Sequence, residues 1–312
     1  MSNIPLSERL PYASQKLDSL KKSISSVLKG QNDAIEMTTI CFLSGGHLLI
    51  EDVPGVGKTT LATAFAHCLA LPARRLQFTS DILPSDIVGV NIYDPSKNAF
   101  SFHEGPIFTN ILLADEINRA EPRAQSALLE AMFERQVSVD GVTRKLPTPF
   151  MVIATQNPVD FSGTFPLPDS QLDRFQFRIS LGYPDPQSEK SLLKRAVQEP
   201  LPKPVLDKND INTLYIMIDN VRVSDEIIDD MLALVHATRN DPRIIQGAST
   251  RAMLDLRKCA CARALLHARD FVLPDDLKAL ATPSLAHRVR LSPNTHINAV
   301  DILDELVKKT LG

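Results

Sequence analysis

Residues Asp52-Val53-Pro54-Gly55-Val56-Gly57-Lys58-Thr59 set two glycines, a lysine and a hydroxyl in the spacing G-x-x-x-x-G-K-[ST], with aspartate where the first glycine is usual. The chemistry of such a loop is phosphate binding. Gly55 and Gly57 let the backbone turn its N–H groups inward around phosphate oxygens, and the N-terminus of a following helix adds positive dipole. Lys58 has the length to reach β- and γ-phosphates, and the Thr59 hydroxyl suits Mg²⁺. Pro54, Gly55, Val56, Gly57, Lys58, Thr59 and Thr60 are therefore the expected nucleotide contacts. A bare glycine turn with an exposed lysine is the bland alternative, and the apolar run ending at Glu51 just before the loop argues against it.

A second constellation lies at Ile111-Leu112-Leu113-Ala114-Asp115-Glu116, four apolar residues running into two carboxylates. Such a strand would put Asp115 at the carboxyl edge of a sheet, beside the phosphate loop, to hold Mg²⁺ directly or through water. Glu116 would then orient and deprotonate an attacking water. Taken alone, the pair could also be helix-capping acids. A third strand, Phe150 to Thr155, ends in Thr155-Gln156-Asn157-Pro158, and Asn157 is the candidate to hydrogen-bond that water or the γ-phosphate.

The elements that must carry these residues follow from apolar patterning. His47–Glu51, Arg75–Phe78, Ile111–Asp115, Phe150–Thr155 and Phe175–Leu181 are near-continuous apolar runs, as expected of strands covered on both faces. Helical patterns alternate with them over the first ~185 residues, the mark of βαβ units around a parallel sheet. Two segments have hairpin character: Asn91–Phe102 around Asp94-Pro95-Ser96-Lys97-Asn98, and Gln136–Lys145 around Asp140-Gly141. Gly182-Tyr183-Pro184-Asp185-Pro186 is a proline-bearing joint, and the chain beyond it has a helical pattern throughout. Ser224 ahead of Asp225 and Glu226 is a capped helix start, and Asp275 or Asp276 after Pro274 opens another. Ala252, Leu256, Ala260, Ala264 and Ala268 form a small-residue seam at four-residue steps. The expected fold class is α/β: a core with a parallel five-stranded sheet over residues 1–184, with hairpins near 90–103 and 136–145, then a small all-α domain over 185–312.

The chain has 312 residues, room for about two domains. Its 44% hydrophobic and 23% charged composition suits a packed globule rather than disorder. Thirty-four basic against thirty-seven acidic side chains give a net charge of −3, and 5% aromatic residues with no tryptophan offer no stacking platform, so a nucleic-acid wrapping protein is disfavoured. No apolar run reaches the ~18 residues of a membrane span, and the first residues carry no signal-peptide pattern. Four cysteines make no disulfide framework; the Cys259-x-Cys261 pair has no companion ligands, and the scattered histidines have no metal spacing. The simplest expectation is a soluble cytoplasmic protein.

The stretches GGHLLIEDVPGVGKTTLA, GPIFTNILLADEINRAEPRAQSALLEAMFERQVSVDG, LPTPFMVIATQNPVDFSGTFPLPDSQLDRF and GASTRA resemble, in that order, the AAA+ ATPases and specifically the MoxR family. The likeness covers roughly residues 25–290. It implies a P-loop AAA+ core with a helical lid, an ATPase using ATP and Mg²⁺, and Asp52 as a family variant of a Walker A loop, with Asp115 and Glu116 as Walker B. It implies Asn157 as sensor 1, Arg174 in LDRF as the arginine finger entering a neighbouring subunit's site, and Arg251 in STRA as sensor 2 on the lid, touching the chain's own nucleotide. Gln31 after Gly30 is similar to the segment that packs the adenine, while Arg119 in INRA is similar to an interface residue. The resemblance further implies a homo-oligomeric, hexameric ring, hairpins pointing into its pore, a protein client treated in chaperone fashion, and a partner with a von Willebrand factor A domain. A nucleic-acid motor or loader, a P-loop kinase and a nucleotide-binding scaffold are the competing classes.

Overall fold

Why the apolar runs become a sheet, and which faces it offers, is visible in the computed structural model, which describes residues 6–53, 55–157, 163–193 and 201–312. The chain begins with two helices, α1 (Leu6–Val27) and α2 (Asn32–Leu43). α1 buries Ala13, Leu17, Leu20 and Ile24, one stripe at helical spacing. There follow β1 (Leu48–Glu51), α3 (Lys58–Cys68), β2 (Ala73–Gln77), α4 (Pro84–Val88) and the hairpin β3 (Gly89–Asp94) with β4 (Ala99–Glu104). Next come β5 (Ile111–Asp115), α5 (Pro122–Glu134), the hairpin β6 (Gln136–Val139) with β7 (Val142–Lys145), β8 (Met151–Gln156), α6 (Asp169–Leu172) and β9 (Phe177–Ile179). The remainder comprises α7 (Pro186–Leu193), α8 (Lys208–Asp219), α9 (Asp225–Asn240), β10 (Ile244–Gln246), α10 (Thr250–Leu266), α11 (Pro274–Leu285), β11 (Arg290–Leu291) and α12 (Ala299–Thr310).

The central sheet has five strands in the order β2-β5-β8-β1-β9, and every neighbouring pair is parallel. Alternation along the strands divides the core in two. Leu48 and Ile50, Ile111 and Leu113, Met151 and Ile153 face one side, where they join buried residues of α1, α2, α3 and α8 to α12 in one apolar cluster. Leu49, Leu112, Ala114, Val152 and Ala154 face the other side, against α4 and α5. Both faces are covered, so the strands are apolar without interruption.

The predicted strands lie where expected, within a few residues at each end. Both hairpins form as predicted, and Asn91 Nδ2 donates to Asp140 Oδ2 across them at 2.6 Å. Ser224 caps α9 by accepting from the Ile227 N–H. α11 starts with Pro274, and Asp276 is its third residue rather than its cap. Two details differ. The carboxyl-terminal part is helical but also holds a short antiparallel ribbon, β10 with β11; strands of three and two residues carry no periodicity to read. The alanine seam is buried from Ala252 to Ala264 only, because α10 stops at Leu266 and Ala268 lies exposed beyond it.

Candidate active site

The phosphate loop leaves β1 at its carboxyl end and enters α3. Gly55 and Gly57 hold φ of +90° and +100°, which side chains with a Cβ rarely adopt. A Cβ at Gly55 would meet nothing within 4 Å, whereas at Gly57 it would press on Leu28 at 3.1 Å. α3 starts at Lys58 with no side-chain cap and no acid in its first turn, which leaves its first N–H groups to an anion. Val56 is 5% exposed and packs into the core, so only its backbone serves the loop. Thr59 is half-buried and Thr60 exposed; Pro54 lies outside the described residues. Lys58 is buried, and its Nζ donates to the Asp52 carbonyl at 2.7 Å. Burial pushes its pKa down against the pull of Asp52, Asp115 and Glu116, and burial prevails. Those three carboxylates are thus its electrostatic neighbours.

Strand register brings the remaining candidates to the same edge. Gln77 pairs with Asp115 between β2 and β5, and Glu51 with Gln156 between β1 and β8. The Thr155 hydroxyl donates to Asp115 Oδ1 at 2.6 Å and accepts from the Glu116 N–H at 2.8 Å, which ties the two strand ends together. Asp115 Oδ2 takes the Arg75 guanidinium at 2.6 Å. Glu116 sits in the left-handed region at φ 56°, ψ 48°, a conformation that costs energy and concentrates at functional sites. Three side chains converge on its carboxylate: Gln77 Nε2 at 2.8 Å, Arg119 Nη1 at 3.1 Å and Asn157 Nδ2 at 3.3 Å. The Asn157 Oδ1 is buried and has no partner among the described residues, so it is free to accept a proton donor such as water.

This donor set fits a nucleotide with Mg²⁺. Thr59 and Asp115 are hard oxygen ligands, and two protein ligands beside phosphate oxygens and water are what Mg²⁺ ordinarily takes. Among the described residues no cluster of three His, Cys, Asp or Glu could hold a metal by itself. Cys259 and Cys261 are buried free thiols in α10.

The two remaining arginines lie elsewhere. α5 runs back from the carboxyl edge, so its last turn sits at the amino edge of the sheet. There His47, just before β1, contacts the Met132 carbonyl through Nε2 at 3.1 Å. Arg174 donates to the Leu129 carbonyl at 2.7 Å and lies 5.4 Å from the centre of the Phe133 ring. Arg251 lies 4.5 Å over the same ring and pairs with Asp173 at 3.5 Å. In this structure Arg251 therefore does not lie beside the phosphate loop of its own chain. Asp173 and Phe133 hold it at the amino edge, and the length of β1 (roughly 10 Å) separates that edge from the loop.

Two family models match: the ATPase family associated with various cellular activities (AAA) over residues 47–177, and the AAA lid domain over residues 236–306. A protein of Mycobacterium tuberculosis named chaperone MoxR1 is 40% identical over 86% of this chain and 74% of its own length. YeaC of Bacillus subtilis is 45% identical over 89% of this chain and 88% of its own. MoxR of Methylorubrum extorquens is 30% identical over 92% and 91%. The chain belongs to the MoxR family of AAA+ ATPases. A crystal structure of a candidate ATPase from Cytophaga hutchinsonii superposes with a TM-score of 0.90 at 37% identity, covering 97% of this chain and 96% of that one.

As a MoxR-family ATPase, the chain binds and hydrolyses ATP with an α/β core and a helical lid. The structure brings Lys58, Thr59, Asp115, Glu116 and Asn157 to one edge, while Gln31 lies at the start of α2, with its Nε2 on the Gly182 carbonyl at 3.3 Å. Sequence reasoning missed Gln77 and Arg75, whose only signal is strand register. It also missed Phe133, which stands 51% exposed at the end of α5. Among the described residues no helix is long and apolar enough to cross a membrane.

Proposed function

We propose that this protein is a Mg²⁺-dependent ring ATPase, hexameric as the family resemblance suggests, that remodels a client protein. Residues 1–184 form its nucleotide core and 185–312 its lid. In this reading, Lys58 and the N–H groups opening α3 hold the phosphates, with Gln31 on the adenine side. Thr59 and Asp115 would hold Mg²⁺, which would supply charge neutralisation on the phosphates. Asp115 is held by Arg75 in this structure, and Arg75 is half-exposed, so the carboxylate would be open to a metal if Arg75 moved aside. Glu116 takes a proton from water, and Asn157 orients that water through the buried Oδ1.

The observation that carries the reading is the place of Arg174 and Arg251. Both guanidiniums sit on Phe133 at the edge opposite the loop, so the site that they can complete belongs to a neighbouring copy. Arginine supplied in trans to a transferring phosphoryl raises its rate on the order of 10³-fold or more. Loss of the γ-phosphate would loosen both arginines at once and shift the subunit contact.

Chaperone-like action on a client follows the relative named a chaperone. The exposed Tyr93 and Phe100 rings, 47% and 73% accessible on the β3–β4 hairpin, supply an apolar surface for it. A partner with a von Willebrand factor A domain, as the family resemblance suggests, completes the proposal.

The test is the ATPase rate per subunit across protein concentration, with mass measured in parallel with and without ATP and Mg²⁺. A specific rate that climbs as the oligomer forms is expected. A rate flat with concentration in a monomer overturns the shared site, and strong stimulation by DNA at moderate salt would point to a nucleic-acid motor instead.

A further inference from the structure

Asp52, the residue that departs from the phosphate-loop pattern, is hydrogen-bonded through both its carboxylate and its carbonyl. Asp52 is 9% exposed, and its Oδ2 accepts three hydrogen bonds: from the Ser180 hydroxyl at 2.8 Å, the Leu181 N–H at 2.7 Å and the Gly182 N–H at 2.7 Å. Oδ1 accepts from the Val53 N–H at 2.8 Å. Burial alone would raise the pKa of this carboxyl, but the Gly182, Ser180, Val53 and Leu181 donors outweigh it and hold the group below the usual aspartate range. Ser180–Gly182 is the stretch that leaves β9 for the lid. The base side of the site touches the same stretch: Gln31 donates to the Gly182 carbonyl, and a Cβ on Gly30 would lie 2.9 Å from both Asp185 Oδ2 and Ser188 Oγ.

We propose that Asp52 is a positioning residue that ties the phosphate loop to the Ser180–Gly182 segment, so that occupation of the loop is felt by the chain entering the lid. One residue carries both ends of the tie. Its carbonyl holds Lys58 Nζ at 2.7 Å, and its carboxylate holds the segment. A phosphate that draws Lys58 toward itself releases the Asp52 carbonyl, and any rotation of Asp52 moves three donors on the segment together. A glycine here would leave the loop able to bind phosphate but unconnected to the lid. The inference takes from the proposed function only that the loop binds nucleotide. It does not depend on ring assembly or on arginines in trans.

The experiment compares the full chain with Asp52→Ala and Asp52→Asn, using fluorescent ADP titration and backbone hydrogen exchange over residues 180–188. Asp52→Ala is expected to bind ADP within about tenfold of the unaltered chain, while the Leu181 and Gly182 amides exchange at least about tenfold faster without nucleotide, since each loses a bond to a charged acceptor. In the unaltered chain ADP changes exchange over 180–188; in Asp52→Ala that change is lost, and Asp52→Asn, which can still turn one oxygen to the three donors, recovers part of it. An ADP response that persists in Asp52→Ala, or that is absent from the unaltered chain, overturns the proposal. If Asp52→Ala fails to fold or to bind, the unaltered chain decides: an exchange over residues 180–188 that ADP leaves unchanged overturns the tie. Failure of the ring reading would appear only as hydrolysis indifferent to concentration and would leave these outcomes unchanged.

Discussion

Glu116 is held in a left-handed backbone conformation with Gln77, Arg119 and Asn157 on its carboxylate, an arrangement that fixes where a base would point. Glu116→Gln should retain nucleotide binding and lose hydrolysis by at least about 100-fold, the usual contribution of a general base; single-turnover phosphate release near the normal rate would remove Glu116 from that role. Phe133 offers a sharper test of the arginine pair. Each guanidinium over an exposed ring gains about 0.5–1 kcal/mol, so Phe133→Ala should lower kcat by about 5- to 30-fold. KM for ATP should hold, because the ring is remote from this chain's own loop, and Phe133→Tyr should restore the rate. An unchanged kcat would show that the arginines need no platform. The loop and the acid pair were legible because each carries its signal within a few consecutive residues. Gln77 and Phe133 were not: what each touches depends on register and on which way a helix runs back, and neither is encoded in neighbouring letters.

At the scale of elements, the five strands were legible because burial on both faces leaves them continuously apolar, while the ribbon of β10 and β11 exists only by tertiary pairing. Two histidines pin elements together and make stability depend on pH. His47 lies between β1 and α5, accepting from the Val152 N–H at Nδ1 while Nε2 faces the Met132 carbonyl. His287 links the lid to the chain before β9 through the Phe175 carbonyl at 2.7 Å. Burial, reinforced by Arg135, lowers His47 to about 3; burial and Arg288 lower His287 to about 3. In the unfolded chain both protonate near 6.5. As pH falls below about 6.5 the unfolded state takes up protons that the folded state refuses, so stability declines, by about 1.4 kcal/mol per pH unit for each histidine. The carboxylates with lowered pKa, Glu36 among them, begin to act only near about pH 5, so the window from about 6.5 to about 5 isolates the histidines. Denaturant midpoints across that window should fall steeply for the unaltered chain and about half as steeply for His47→Asn; equal slopes would mean that His47 is protonated in the fold.

At the scale of the whole molecule, one apolar cluster runs from α1 and α2 through one face of the sheet into the lid helices, so the lid shares its core with the nucleotide domain and any shift of the lid must be accommodated there. Phe175 links this lid to the strand layer. Its carbonyl accepts from His287 and from Arg288 Nη2 at 2.8 Å, one residue after Arg174, so a displacement of the lid would be felt next to the arginine proposed to act in a neighbouring copy. If the proposed ring forms, ATP hydrolysis would use halves from two copies, and mixing experiments can separate the halves. Arg174→Ala alone and Lys58→Ala alone should each be nearly inactive. Mixed before assembly, they form some interfaces in which an intact loop meets an intact arginine. In an equimolar random mixture about one interface in four is fully intact, so activity should rise to a substantial fraction of that quarter, limited by coupling around the ring. An Arg174→Ala, Lys58→Ala double variant mixed with an equal amount of the unaltered chain controls for dilution, since it contributes neither half. Recovery in the first mixture identifies Arg174 as the group donated to the next subunit. If no mixture recovers activity although exchange of labelled subunits is shown, Arg174 serves the fold of its own chain, and the concentration dependence of hydrolysis must have another origin.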